Sequence, residues 1–140
     1  MRYVLDAAVA MRWVVPEEDS AKAQLLRDRL RSQVDACFAP DVFPIEVAHA
    51  LTRAERQRRI QVGEAAMLLA SILSTSPKLL PALQFIDRAV EISSHHRIGV
   101  YDCLYIALAE QLGCDMITCD ERLVANLQPS GFPVISLASF

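Results

Sequence analysis

The sequence predicts an α/β fold, three layers deep, with helices on both faces of a central parallel sheet of about four or five strands. Short apolar runs alternate along the chain with longer amphipathic ones. Helices standing between strands imply right-handed crossovers, and therefore parallel strands. Three of the short runs also end on an aspartate: Tyr3-Val4-Leu5-Asp6, Gly99-Val100-Tyr101-Asp102 and Met116-Ile117-Thr118-Cys119-Asp120. The carboxyl ends of parallel strands are where open α/β sheets build their sites.

The elements follow in order. Arg2 to Leu5 reads as a buried strand, and Ala7 to Val14 as a helix that Pro16 breaks. Glu17 and Glu18 open a second helix to about Arg31, with acids where the macrodipole favours them. Ala36 to Ala39 is a short strand closed by Pro40. A third helix covers Phe43 to Arg58, with Val47, Ala50, Leu51 and Ala54 as its apolar face. Gly63 precedes a fourth helix, Glu64 to Leu73. Ser74-Thr75-Ser76-Pro77 is a loop, and after Pro81 a fifth helix carries Phe85, Ala89 and Ile92. Gly99 marks the next break. Asp102 then opens a long helix through Cys103 to Leu112, closed by Gly113. Asp115 to Thr118 is a strand, Glu121 to Asn126 a short helix, and Pro133 to Ser136 the final strand.

A chain of 140 residues that is 53% hydrophobic suits one domain with one packed core, residues 1–140. Neither a membrane helix nor a secretory signal is read from it, so a cytoplasmic protein is expected. Cys37, Cys103, Cys114 and Cys119 form no CxxC pair, and their spacing suits free thiols rather than zinc. The net charge of -3 excludes a broadly basic surface. Arginines nevertheless cluster in Arg27-Asp28-Arg29-Leu30-Arg31 and around Arg53 to Arg59, as solvated helix faces or as local phosphate contacts. His95-His96 reads as a solvated pair, and Tyr101 and Tyr105 as packing residues. No GxxxxGK[ST] or GxGxxG occurs, so no nucleotide cofactor is indicated.

Each aspartate taken singly reads as a helix N-cap, worth about 1 kcal/mol. Taken together, Asp6, Asp102 and Asp120 would gather at one sheet edge. Glu46 stands beside the apolar face of the third helix, with His49 and Arg53 on the same side. Four carboxylates so placed repel one another unless a divalent cation sits among them. That pattern points to metal-dependent phosphoryl transfer.

Four fragments in this order resemble a known family: Tyr3-Val4-Leu5-Asp6, Pro44-Ile45-Glu46-Val47-Ala48-His49-Ala50-Leu51, Tyr101-Asp102-Cys103-Leu104-Tyr105-Ile106-Ala107-Leu108-Ala109 and Ile117-Thr118-Cys119-Asp120-Glu121-Arg122-Leu123. The chain resembles the PIN domain nucleases over nearly its whole length, and among them the toxin ribonucleases of VapBC-type toxin–antitoxin pairs. The resemblance implies a PIN-like α/β/α domain and an endoribonuclease. It implies an acidic set of Asp6, Glu46, Asp102 and Asp120, with Thr118 as a supporting polar residue. Magnesium (Mg2+) or manganese (Mn2+) held by Asp6 and Asp102, with Asp120 and Glu46 direct or through water, would neutralise the phosphodiester and activate a water. It implies an RNA substrate, a small antitoxin partner and a homodimer. Family members often carry serine or threonine two positions after the first aspartate, where this chain has Ala8; a less ordered pocket is expected there, with its chemistry kept.

Three other functions compete with this reading. A haloacid-dehalogenase-type phosphatase needs a second aspartate at the position of Ala8. A receiver domain needs a late lysine, and the only lysines are Lys22 and Lys78. A non-catalytic PIN-like binding module would keep the fold without the metal. For partners, Met11, Trp13, Val14 and Val15 read either as an exposed apolar groove or as core.

Overall fold

The computed structural model describes residues 1–140. Strands β1 (Arg2–Leu5), β2 (Ala36–Pro40), β3 (Lys78–Leu80), β4 (Asp115–Thr118) and β5 (Val134–Ser136) form one sheet in the order β3-β2-β1-β4-β5. Every pairing is parallel. The chain winds outward from β1 through β2 to β3. It then returns to the other side of β1 for β4 and β5. The direction of winding therefore reverses between β1 and β4, the position where such sheets open a crevice at their carboxyl ends.

The helices are α1 (Ala7–Met11), α2 (Ser20–Arg31), α3 (Phe43–Arg56), α4 (Glu64–Leu73), α5 (Ile86–His96), α6 (Val100–Leu112) and α7 (Glu121–Leu127). Single 3-10 turns cover Ala82–Phe85, Gln128–Ser130 and Leu137–Ser139. The core lies between β1, β4 and α6, where Val4, Leu5, Ile106, Leu108, Met116 and Ile117 are fully buried. Helix α6 is buried on nearly all sides from Cys103 to Ala109, which is why its sequence reads as an unbroken apolar run.

Several elements differ from the sequence reading. Gly99 to Asp102 is not a strand. Gly99 is extended (φ -57°, ψ 142°), α6 begins at Val100, and Asp102 lies in its first turn. The helix-forming run from Cys103 onward propagates back to the glycine, leaving nothing for a strand to pair. Helix α1 stops at Met11, and Arg12 to Val15 turn inward to bury Trp13 and Val15. Helix α2 starts at Ser20 rather than Glu17, because the Ser20 hydroxyl accepts from the Glu17 N–H and ties the chain in a turn. Helix α3 ends at Arg56, just before Arg58 adopts the left-handed region (φ 58°). The edge strand β3 has no counterpart in the sequence reading, because three residues are too few to show alternation.

The exposed-groove reading of Trp13 is overturned. Trp13 is 5% exposed, its Nε1 donates to the Ala23 carbonyl at 2.9 Å, and the Arg27 guanidinium stacks 4.9 Å from its ring centroid. Arg27 is itself buried, donating to Ser71 O at 2.5 Å and Thr75 Oγ1 at 3.1 Å. Arg29 holds the buried Asp35 through two bonds of 2.6 and 3.2 Å. Two of the three arginines in the first cluster are therefore structural. All four cysteines are free. No helix is long and apolar enough to cross a membrane.

Candidate active site

The crevice at the carboxyl ends of β1 and β4 continues into a cleft of about 470 Å3 that Asp6, Glu46, Asp102 and Asp120 all border. The sequence-predicted carboxylates thus come together from four elements. Asp6 follows β1, Asp120 follows β4, Asp102 sits in the first turn of α6 and Glu46 in the first turn of α3.

Strand register sets the first contact. Leu5 pairs with Ile117, and the Asp6 N–H donates to the Ile117 carbonyl at 3.2 Å. Asp6 and Thr118 therefore stand side by side one residue further on. The Thr118 hydroxyl, fully buried, donates to Asp6 Oδ2 at 2.7 Å and accepts from the Asp120 N–H at 3.1 Å. One hydroxyl thus fixes both aspartates. Ala8 borders the cleft without a polar group.

The capping explanation separates the aspartates. Asp120 is a true N-cap, its Oδ1 accepting from the N–H groups of Arg122 (3.0 Å) and Leu123 (3.1 Å). Asp6 precedes α1 without a side-chain cap bond, and Asp102 lies inside its helix rather than at the cap. Capping accounts for Asp120; Asp6 stands at the N-cap position of α1, where the Ala8 and Ala7 N–H groups favour its charged form, and Asp102 has no capping role.

Electrostatics sharpen the picture. Burial pushes the Asp102 carboxyl up to about 7, and Asp6, Asp120 and Glu46 push it the same way. Burial also raises Asp6, opposed by the Thr118 hydrogen bond. Glu46 is raised by burial, opposed by the Tyr105 hydroxyl, which donates to its Oε1 at 2.7 Å. Tyr105 is a positioning residue that the sequence reading took for packing.

The remaining lining is partly basic. Arg12, Arg53 and Arg59 border the cleft together with His49 and Gln57. His95 and His96 do not; the His96 ring packs edge-on against Phe132 at 5.0 Å.

The profile of the PIN domain family matches residues 3–126. The chain belongs to the PIN domain family. Among PIN relatives, Ribonuclease VapC12 of Mycobacterium tuberculosis is 35% identical over 123 residues, 88% of this chain and 90% of that protein. Ribonuclease VapC3 of Pyrobaculum aerophilum is 30% identical over 125 residues, 88% of this chain and 92% of that protein. In structure, the chain superposes on PAE2754 of Pyrobaculum aerophilum with a TM-score of 0.69 and 21% identity, over 99% of this chain and 94% of that one. VapBC2 of Rickettsia felis, bound to a DNA fragment from its promoter, gives a TM-score of 0.63 and 10% identity, over 97% and 98%. Both structures carry the fold alone.

The donor set of this PIN domain is all oxygen, with no thiol or imidazole among its acids. In their present positions no three acidic, histidine or cysteine side chains are close enough together to hold a metal ion between them. Carboxylate oxygens are donors of the kind that hard divalent cations take.

Proposed function

We propose that this protein is a metal-dependent endoribonuclease, the toxin of a toxin–antitoxin pair. One observation carries the reading: Asp102 is half-buried among three other carboxylates, pairs with no cation of the protein, and is pushed up to about 7. A folded protein keeps so costly a group where a bound cation offsets the repulsion. The matches to proteins named as VapC ribonucleases support RNA as the substrate.

Asp6 and Asp102 would hold magnesium or manganese, with Glu46 and Asp120 binding directly or through water. The cation would neutralise the phosphodiester and lower the pKa of a water for in-line attack. The chain's own residues prepare that event. Thr118 fixes Asp6 in one rotamer, and Tyr105 fixes Glu46. The α7 amides hold Asp120 Oδ1, and no donor of the protein takes its second oxygen. Hydrolysis leaves a 5′-phosphate and a 3′-hydroxyl.

We read residues 1–140 as one catalytic domain working in the cytoplasm, with a small antitoxin as its partner. A second, more apolar hollow supports a protein partner. Val42, Ile45 and Tyr101 form that hollow beside Glu46, with Ile45 70% and Tyr101 58% exposed. A homodimer could use the same kind of surface. The test is cleavage of RNA by the purified protein with magnesium, manganese or EDTA, beside Asp102→Asn. Cutting that needs metal and is lost in the variant is the expected result. Equal cutting by both proteins, or cutting that survives chelation, would sink the proposal.

A further inference from the structure

Helix α3 extends the cleft away from the carboxylates. Glu46, Ala50, Arg53 and Gln57 recur at steps of three and four residues, so they share one side, and all four border the cleft. At about 1.5 Å per residue, Arg53 stands about 10 Å along the axis from Glu46. The cleft is therefore acidic at one end and basic at the other.

Its three arginines are not equivalent. Arg12 is ion-paired with Asp19 and donates to the Ala8 carbonyl at 3.1 Å. Arg59 is ion-paired with Glu17. Arg53 is exposed and makes neither an ion pair nor a side-chain hydrogen bond, so its guanidinium donors all remain available. The helix dipole favours a cation anywhere on the last turn. It does not select the cleft side: Arg56 shares that turn and does not border the cleft.

We propose that Arg53 is the centre of a phosphate-binding subsite that takes a backbone phosphate flanking the scissile one in single-stranded RNA. The inference rests on the nuclease reading of the carboxylate end. Arginine suits the role because its planar fork matches phosphate oxygens two at a time. A cleft of about 470 Å3 has room for a nucleotide or two. Gln57, one turn beyond Arg53, is placed to hydrogen-bond the next ribose or base edge. The consequence is a minimum substrate: a dinucleoside monophosphate carries only the scissile phosphate and gains nothing from Arg53.

The experiment is anisotropy with a labelled, random-sequence, single-stranded oligoribonucleotide across a salt series. Proteins carry Asp102→Asn so that the probe is not consumed. Adding Arg53→Gln is expected to weaken binding roughly tenfold and to flatten the slope of log K against log salt by about 0.7, one phosphate contact on a single strand. Arg53→Lys keeps the slope, and Arg56→Gln matches its parent. Unchanged affinity and slope in Arg53→Gln would overturn the subsite and reassign Arg53 to a protein partner. Wild-type cleavage of the same RNA runs alongside. If it cuts while Arg53→Gln binds normally, only the subsite falls; if the RNA is neither bound nor cut, both readings fall.

Discussion

The Tyr105 hydroxyl donates to Glu46 Oε1 at 2.7 Å, joining the most buried helix, α6, to the cleft wall of α3. Tyr105 is almost wholly buried, so the bond forms with little water to compete. It lowers the Glu46 carboxyl that burial raises. Tyr105→Phe keeps the ring and removes the donor. The fold should survive at a cost of about 1 kcal/mol in urea unfolding. Cleavage should fall roughly tenfold as Glu46 loses its fixed orientation and ionises less readily. Full activity in this variant would show that Glu46 needs no such support.

A second hydroxyl does comparable work across the sheet. Thr118 Oγ1 serves Asp6 and the Asp120 amide together, and no water reaches it. Thr118→Val preserves shape while leaving Asp6 Oδ2 and one N–H without their partner. The expected loss is about 2 kcal/mol of stability, with weaker metal binding measured by calorimetry. Thr118→Ser should recover most of both. A valine variant as stable as wild type would remove Thr118 from the account.

The fold was legible where local and tertiary signals agree. Helix α4 and strand β4 fall where glycine, proline and apolar spacing put them, because caps and periodicity are encoded within a few residues. The failures have a common cause. Gly99 to Asp102 looks like a strand only while the helix behind it is ignored, and β3 exists because β2 offers an open edge. Strand ends place Asp6 and Asp120, whereas Asp102 and Glu46 reach the cleft from helices, and the Tyr105–Glu46 bond could not be argued from local sequence at all. It spans 59 positions of sequence and depends on how α3 packs against α6.

Trp13 illustrates the same limit and gives a test of its own. An apolar residue on a short amphipathic helix can face a partner or the core, and only packing decides. Here the indole is buried, bonded to Ala23 O and stacked by Arg27. Trp13→Phe removes the bond and part of the volume, and should cost about 2 kcal/mol. Trp13→Asp should yield little folded protein by circular dichroism. A folded aspartate variant that merely loses a binding partner would return Trp13 to the surface.

Asp102 sets the pH behaviour of the metal-free protein. Its carboxyl is pushed up to about 7, against about 3.9 in an unfolded chain. Between those values the folded protein holds a proton that the unfolded chain has released. The contribution of this group to stability therefore declines as pH rises from about 4 to about 7. In Asp102→Asn the side chain stays neutral throughout. In EDTA the variant should unfold at a higher temperature than wild type at pH 8, by roughly 3 °C once solvent screening of a half-buried group is allowed for. The gap should close at pH 4. Saturating magnesium should reverse the order at pH 8, because a cation that binds only the folded wild type stabilises it by mass action. If the variant followed wild type in EDTA at both pH values, Asp102 would not be the strained member of the acidic set. If magnesium failed to raise the wild-type midpoint, the carboxylates would not be a metal site.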